Sequence, residues 1–475
     1  MTRWLNLIFI LLLGGCAKYQ PRPISPGQLE TNFRSRSLAE TGLRDFFEKN
    51  LNKSPSSWPP KEFNLELLTL TAFYFHPDLE MARAKIQTAK AGEIAAGERP
   101  NPSAALTPTF APNAAAGVAP WLLGFSWDIP IETAGKRGHR LSQAKQTTRA
   151  AQLELGETAW KIRSHVRSGL LEHVIAQREA ALWQKEITSR TNLLQMLEKR
   201  REFGEVSRVE VNQAQSELLN AQLAFRATQG RVTETRVALA ASIGLPASAL
   251  REIKFAWPKF DQLPTEKTIS ATAVQGIGLL NRLDIRRALS EYAATEAALQ
   301  LEISKQYPDV HLSPGYEFDQ GDHKFSLGAS LTLPILNQNQ GAIAQAEAKR
   351  QESAASFSAL QSQVIGETEK AFAGFHSALA EWNDANALLK TVQSRAEEMA
   401  RRAVTLGESD RVSSLNVQLQ GASLARARLD SLRKVHVAIG ALEDAVQRPV
   451  SGDDNALALQ IFSKPESAEQ KRKTK

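Results

Sequence analysis

Few side chains in this sequence are placed to do chemistry. The chain has one cysteine, Cys16, and eight histidines that are scattered along its 475 residues. His165 and His173 lie eight residues apart in a helical run, a placement more typical of structural histidines than of a metal site. No phosphate-binding loop, no GxGxxG after a strand and no HExxH motif occurs. The sequence therefore predicts no catalytic residue, no metal site and no bound cofactor.

Cys16 ends a segment with the layout of a secretory signal. Residues 5–13 are almost entirely apolar, too few to cross a bilayer permanently, and glycines follow. The run Leu13-Gly14-Gly15-Cys16 resembles the bacterial lipobox, whose cysteine is acylated and becomes the first mature residue; an ordinary signal peptide with a chance cysteine is the alternative. We expect a signal peptide over 1–15 and a lipid on Cys16, each buried methylene contributing about 0.8 kcal/mol. Ala17 is not the aspartate that signals inner-membrane retention, so the resemblance implies the outer membrane.

Composition indicates a helical protein without a nucleic-acid partner. The net charge is +7, and the last twelve residues hold five basic and two acidic side chains. The net positive charge that remains on the rest of the chain is too small to favour nucleic acid as a partner. Glycine (27) and proline (21) are low for an all-β protein of this length.

The chain is a duplicated half-protein. Residues 102–110 match 308–316 at an offset of 206, residues 126–131 match 330–335 at 204, and residues 204–209 match 407–412 at 203. This nearly constant offset divides the mature chain into five segments. They are an extended N-terminal segment (16–63), a first repeat (64–246), an equatorial linker (247–269), a second repeat (270–447) and a charged, flexible tail (448–475).

Each repeat opens with a helical stretch, 64–98 or 270–304, and continues into two segments of period-two patterning. The clearest strands are 121–129, 310–318 and 324–333, each with one apolar and one polar face, and 103–112 alternates more weakly. An outer-membrane barrel requires such strands, although a soluble β-sandwich shows the same alternation. Pro108 and Pro314 suggest bulges. Interfacial aromatic residues could be Trp121, Trp127, Tyr316 and Phe318.

A long helical run follows each pair of strands. Residues 136–203 and 340–406 contain no proline, and each run predicts roughly 100 Å of helix. Gly204 and Gly407 then interrupt the pattern before second helices over 205–243 and 408–447. The helices 205–243 and 270–304 together are about as long as one unbroken run, so we expect them to stack end to end beside it.

Four strands cannot close a barrel, since about eight strands form the smallest closed barrel. Open edges in lipid leave backbone groups unpaired at several kcal/mol each. The sequence therefore predicts an oligomer. Two copies supply eight strands and a packed interior, whereas three copies supply twelve strands and leave a lumen.

These features together resemble the TolC-type outer membrane factor family, or outer membrane efflux proteins, over residues 64–447. The resemblance rests on the proline-ended strands, the paired long helices, the Gly-Glu-x-x-Arg turns and the Ser-Ile-Gly-Leu-Pro stop at 242–246. Residues 129–140 and 333–341 are similar to the CzcC-like branch, which serves heavy-metal pumps. The implied fold is mostly α, with a helical barrel and four strands per protomer that complete a twelve-stranded trimeric β-barrel.

The resemblance also implies a function and partners. A homotrimeric outer-membrane duct receives substrate, here heavy-metal cations, from an inner-membrane pump of the RND type through a periplasmic adaptor (membrane fusion protein). A drug or small-molecule duct of the same family is one alternative. A lipid-anchored periplasmic adaptor is another, although adaptors normally carry one helical hairpin inside β-rich flanks, whereas this chain has two.

The helical tips are the candidate sites. By resemblance, adaptor docking falls on two turns, with an apolar contact at Val206; the turns are Gly204, Glu205, Val206, Ser207 and Arg208, and Gly407, Glu408, Ser409, Asp410 and Arg411. In TolC-type ducts, carboxylates six and nine residues after the second tip glycine ring the periplasmic entrance, but here these positions are Ser413 and Asn416. Glu210 and the acidic tip residues could partly replace them, or could simply be solvated helix ends.

Overall fold

We describe a computed structural model of the chain over residues 19–51, 57–114, 117–264, 282–319, 321–406 and 411–450. Cys16 and the signal segment, the second turn at 407–410 and the tail from 451 onward lie outside these residues. None of the helices within them is both long and apolar enough to be a candidate membrane span.

Helices dominate the described chain. They are α1 Pro26–Arg34, α2 Thr41–Leu51, α3 Leu65–Phe75, α4 Pro77–Gly97, α5 Lys136–Glu202, α6 Arg208–Ile243, α7 Leu283–Ser304, α8 Gln340–Leu406 and α9 Arg411–Val446. The strands are β1 Glu62–Phe63, β2 Ser103–Phe110, β3 Trp121–Ile131, β4 Lys254–Phe255, β5 Val310–Asp319 and β6 Asp322–Leu331.

The two proline-free runs form single helices. α5 and α8 each contain 67 residues, a length of about 100 Å at about 1.5 Å per residue. α6 and α7 both pack along α5, and α9 and α7 pack along α8. Two shorter helices thus flank one long helix, as expected, whereas residues 270–281 of the predicted helix 270–304 lie outside the described residues. The long helices and the strand pairs recur in the same order in both repeats.

The strand pairs form one antiparallel sheet in the order β2-β3-β5-β6. The expected bulges at Pro108 and Pro314 are wrong, because Pro108 pairs with Leu123 in an unbroken register. Between β3 and β5 the ladder is interrupted near Pro314, but Ser126↔Gly315 and Ile129↔Leu312 share one register. A proline removes a ladder hydrogen bond without requiring an extra residue.

The sheet has one apolar and one polar face, as the alternation predicts. Cross-strand partners lie on the same face of a sheet. One face carries the pairs Phe110↔Trp121, Leu106↔Phe125, Phe125↔Tyr316 and Tyr316↔Phe325. The other carries Thr107↔Gly124, Ser126↔Gly315, Glu317↔Lys324 and His311↔Ser330. The apolar face is largely exposed in the protomer: Trp121 is 58% exposed and Phe325 is 82% exposed.

The N-terminal segment differs from the extended chain that its prolines suggest. It contains α1 and α2, and Leu43 and Phe47 of α2 are fully buried in the core. The prolines cluster between positions 21 and 26 and between 55 and 60, so residues 27–51 contain none and are free to form helices. Leu43 and Phe47 are four residues apart and therefore share one helix face.

The middle of this N-terminal segment is hydrogen-bonded to the packed helices α3 to α9, which we call the helical wall. A guanidinium nitrogen of Arg36 donates to the carbonyls of Phe75 (3.0 Å) and Gly244 (2.8 Å), at the ends of α3 and α6. Gly244 has a φ of +82°, and a Cβ there would lie 3.0 Å from the His76 Cα, so this helix end requires glycine. β1 pairs with β4 of the 247–264 segment, and Phe63 and Phe260 join the same core.

Candidate functional site

The turn between α5 and α6 is a tightly closed helical tip. α5 ends at Glu202, and Gly204 follows in the left-handed conformation with a φ of +76°. The Glu205 amide donates to the Arg200 carbonyl (2.9 Å), which satisfies an orphan carbonyl of the last turn. Glycine at this position avoids the strain that a Cβ introduces at positive φ.

α6 begins with a capping box. The Ser207 hydroxyl accepts a hydrogen bond from the Glu210 amide (3.2 Å), and the Ser207 amide donates to the Glu210 carboxylate (2.8 Å). Glu210, one of the predicted gate residues, therefore caps its own helix. Glu205 lies 3.7 Å from the Arg200 guanidinium, so neither carboxylate of this tip stands free.

The sequence predicted Val206 as the exposed apolar residue of the first tip, but two other residues are more exposed. Phe203 is 81% exposed and Val209 is 73% exposed, whereas Val206 is half-buried. Because Phe203 and Val209 flank the turn on both sides, they give this tip a small apolar surface within a charged surrounding. The sequence could have identified both residues, because each is an apolar residue directly beside the turn from Gly204 to Arg208.

The first tip is also less acidic than expected. Lys199, Arg200 and Arg201 occupy the last turn of α5, where positive charge is favoured by the helix dipole. At the second tip, residues 407–410 and the side chains of Arg411 and Ser413 lie outside the described residues, and Asn416 is exposed on α9. The structure thus brings Gly204, Glu205, Val206, Ser207, Arg208 and Glu210 together in one turn.

The polar face of the sheet carries paired charges that sequence patterning did not single out. The His311 Nδ1 lies 3.0 Å from an Asp128 carboxylate oxygen across β3 and β5. Lys324 faces Glu317 in the ladder and lies 2.5 Å from an Asp319 oxygen. This face could line a water-filled passage, because its side chains are small or charged.

Hydrogen bonds lock the sheet to the long helices. The buried Lys136 ammonium donates to the Tyr307 carbonyl and to Asp309, both at 2.7 Å. The Thr133 amide also donates to Asp309 (2.9 Å), and Arg140 pairs with Glu132. Residues 132–140, which follow β3 of the first repeat, are thus bonded to residues 307–309, which precede β5 of the second repeat.

The wall of helices contains a buried ionic cluster. Glu443 of α9 is 1% exposed and lies 3.1 Å from Arg163 and 3.4 Å from Arg167 of α5. Burial alone raises the pKa of Glu443, but the two guanidinium groups outweigh it and lower this pKa below its ordinary value. The cluster joins the long helix of the first repeat to the returning helix of the second.

Of the two histidines that the sequence singled out, one is buried and the other is exposed. His173 is fully buried and lies 3.1 Å from the Thr235 hydroxyl and 3.1 Å from the Gln177 amide. His165 is exposed. Within the residues that the structure describes, no group of three or more His, Cys, Asp or Glu side chains could hold a metal ion.

Comparison with known proteins gives a family model and a relative. Residues 74–245 match the family model described as outer membrane efflux protein. The chain is 27% identical over 309 residues to the cobalt-zinc-cadmium resistance protein CzcC of Cupriavidus metallidurans, an alignment that covers 64% of this chain and 71% of the relative. These matches are to transport proteins, so the prediction that the chain is not an enzyme is confirmed.

Solved structures show the same fold. The outer membrane protein VceC of Vibrio cholerae is 20% identical, with a TM-score of 0.64 over 80% of this chain and 95% of that chain. The open state of the MtrE outer membrane channel of Neisseria gonorrhoeae is 15% identical, with a TM-score of 0.64 over 82% and 90%. The predicted fold, mostly α with long helices and a small four-stranded sheet, is confirmed by these neighbours.

Proposed function

Since residues 74–245 match the outer membrane efflux protein family and the fold is that of the TolC-type channels, we propose that this chain is the outer-membrane duct of a tripartite efflux system. It exports substrate passively, after an inner-membrane pump of the RND type has delivered the substrate through a periplasmic adaptor. The single observation that carries this proposal is the combination of a two-faced four-stranded sheet with helices about 100 Å long.

The working unit of the proposed duct is a homotrimer. β2 and β6 are the terminal strands of the sheet, and their outer edges have no strand partner among the described residues. Such edges are costly in lipid, and three copies close a twelve-stranded barrel. The apolar face then contacts lipid, and the face with Asp128, His311 and Lys324 lines the lumen.

Adaptor docking is assigned to the tips. In a trimer each repeat contributes three tips, and Phe203 and Val209 supply the apolar contacts at the first type of tip. Helical tips with a small exposed apolar surface suit the packing of a partner helical hairpin. The second tip, at Gly407, Glu408, Ser409, Asp410 and Arg411, is assigned the same role by the duplication.

Heavy-metal cations are the proposed substrate, and the relative named for cobalt, zinc and cadmium resistance supports this choice. A duct for drugs or other small molecules is the second candidate, because the fold is shared with channels such as VceC and MtrE. The long helices and the two-faced sheet do not favour the third candidate, a lipid-anchored adaptor.

Deletion of the gene in its own host separates these candidates. We expect sensitivity to Co²⁺, Zn²⁺ and Cd²⁺ with higher cell-associated metal, unchanged tolerance of hydrophobic drugs, and recovery when the gene is restored. Drug sensitivity with unchanged metal tolerance would instead identify the small-molecule duct. Unchanged tolerance of both substrate classes contradicts the efflux proposal.

The proposed location is the outer membrane, with Cys16 acylated and the helices in the periplasm. We expect the mature wild-type protein to carry a lipid adduct on Cys16, and Cys16→Ser to leave unprocessed or largely periplasmic protein. Because the closed barrel is a second anchor, export can survive this substitution. A wild-type mass that fits the unmodified mature chain contradicts lipidation and leaves the efflux proposal intact.

A further inference from the structure

A groove of about 900 Å³ lies on the helical wall between α2, α3, α4, α5 and α7. It shares no residue with the tips or the polar sheet face. Its apolar floor is formed by Phe46, Phe73, Leu79, Leu155 and Ala159, which also belong to or pack against the main core. The groove therefore opens where the N-terminal helices stop covering the core face of α5.

Four cations line this groove: Arg83, Lys145, Arg149 and Arg286. None of them forms an ion pair with a carboxylate within the described ranges, although nearby Lys85 pairs with Glu154 at 2.5 Å. Glu93 is the one acidic side chain among the described lining residues. Unpaired positive charge thus collects beside an apolar floor.

Thr148 adds an unsatisfied hydrogen-bonding group to the groove. Its side chain lines the groove and is 5% exposed, and its hydroxyl has no hydrogen-bond partner among the described residues. Thr147 and Thr158 of the same helix donate to the carbonyls four residues earlier, at 3.1 and 2.8 Å. A buried hydroxyl without a partner costs stability, so Thr148 is a second, independent indication of a ligand.

The groove lies directly below the sheet. α5 begins at Lys136, five residues after β3 ends at Ile131, and Lys145 and Ala159 follow at about 14 and 35 Å along the helix axis. The α5 residues that line the groove thus span roughly 20 Å along the helix axis, polar at Lys145 and Arg149 and apolar at Leu155 and Ala159. A volume in this range suits a small ligand rather than a partner helix.

We propose that this groove binds an anionic lipid, whose phosphate is held by Arg83, Lys145, Arg149 and Arg286 while an acyl chain lies on the apolar floor. Charge complementarity selects this occupant, since basic pockets recognise anionic head groups, and the choice of a lipid rests on the outer-membrane location proposed above. The inference goes beyond the efflux function, because a groove on the wall takes no part in conducting substrate.

The test uses purified full-length protein in neutral detergent, with lipid binding followed by native mass spectrometry. The probes are dioleoylphosphatidylglycerol, dioleoylphosphatidylcholine with the same acyl chains, and inorganic phosphate. We expect phosphatidylglycerol to bind at least about tenfold more tightly than phosphatidylcholine. The double substitution Lys145→Glu/Arg149→Glu is expected to remove this preference.

Two further variants control for folding and net charge. Lys185→Glu/Arg226→Glu reverses two exposed cations elsewhere on α5 and α6, and we expect it to bind phosphatidylglycerol like the wild type. Thr148→Val keeps the side-chain shape, and we expect it to weaken phosphatidylglycerol binding several-fold while raising the melting temperature.

Three results overturn the proposal. Equal binding of phosphatidylglycerol and phosphatidylcholine shows an apolar site without head-group recognition. Displacement of phosphatidylglycerol by millimolar inorganic phosphate identifies a free-phosphate site. Loss of binding in the Lys185→Glu/Arg226→Glu control, equal to that in Lys145→Glu/Arg149→Glu, shows an effect of net charge alone. None of these results bears on export, which the gene-deletion experiment measures separately.

Discussion

Two buried histidines are expected to make the stability of the helical wall depend on pH. The His436 Nε2–H donates to the Phe260 carbonyl (2.8 Å), and its ring stacks on Phe260 at 4.3 Å. Burial lowers the pKa of His436 to about 4, although the hydrogen bond to Phe260 opposes this shift. Burial likewise lowers the pKa of His173 to about 4, and Arg236 adds to the effect.

We expect the free energy of unfolding to fall as the pH decreases from about 6.5 to about 4. In this window the unfolded chain binds more protons than the folded chain, so stability is full above the unfolded pKa and is lost on acidification. Each histidine contributes at most about 3 kcal/mol. The check is the melting temperature of the detergent-solubilised protein at neutral pH and near pH 5.

His436→Gln keeps a donor for the Phe260 carbonyl but cannot titrate, so the loss of melting temperature on acidification should shrink. His165→Gln, at an exposed position of α5, is the matched control. The same acid-induced loss in His436→Gln and the wild type would show that this buried ring does not contribute.

At the residue scale, some structural roles could be predicted from the sequence and others could not. His173 was expected to be structural, and it is buried. The roles of Glu443, Arg163 and Arg167 could not be foreseen, because positions 163 and 443 are 280 residues apart. From sequence alone, a charged residue in an amphipathic helix is assigned to the solvent-exposed face, unless the helix that packs against it is known.

At the scale of elements, the Glu443 cluster joins α9 of the second repeat to α5 of the first. We expect Glu443→Gln to lower the free energy of unfolding by about 3–5 kcal/mol, since Arg163 and Arg167 are then left buried without a counter-charge. Thermal melts in detergent measure this. Asp430→Asn, at a half-exposed carboxylate paired with Arg433 and Lys434, should change it by less than about 1 kcal/mol. Equal effects of the two substitutions would show that burial of the cluster is not important.

The first tip gives a second prediction at this scale. Gly204→Val places a branched side chain at a φ of +76°, which strains the turn by roughly 1–2 kcal/mol. We expect export to be lost while the trimer stays in the outer membrane, because the sheet lies about 100 Å away. Metal tolerance of the cells measures export, and a trimer assay in parallel measures assembly. Gly230→Val on α6, where no atom lies within 4 Å of an added Cβ, is the control.

Normal export by Gly204→Val, together with unchanged co-purification of an adaptor, would rule out this tip as the docking surface. Loss of the trimer would show instead that the substitution acts through folding.

The elements themselves were largely predictable. Proline-free runs predicted the long helices, period-two alternation predicted the sheet faces, and Gly204 marked the first tip. The N-terminal helices were missed because prolines at both ends of the segment masked the spacing of Leu43 and Phe47. The groove was missed because it forms only where five helices, α2 to α5 and α7, meet.

At the scale of the whole molecule, trimer closure through the sheet can be tested with disulfides. The sequence has one cysteine, which is the proposed lipid site, so introduced thiols have little background. Thr107 on β2 and Lys324, Ser326 and Gly328 on β6 lie on the polar face. We expect Thr107→Cys, combined in turn with a cysteine at each β6 position, to yield covalent dimers and trimers for at least one pair.

Oxidised membranes run on non-reducing gels show these species. Thr107→Cys combined with Lys185→Cys, far along α5, should stay monomeric. If no β2–β6 combination crosslinks between protomers while the protein is in the membrane, the barrel does not close through these edges.

The open edges of β2 and β6 have a consequence for genetics. If the proposed duct draws three chains at random from a common pool, a cell that makes equal amounts of wild-type chain and an assembly-competent tip variant contains only roughly one all-wild-type duct in eight. If one variant tip is enough to stop export, we therefore expect such a variant to be dominant over the wild-type allele, whereas we expect a chain that cannot pair at its edges to be recessive.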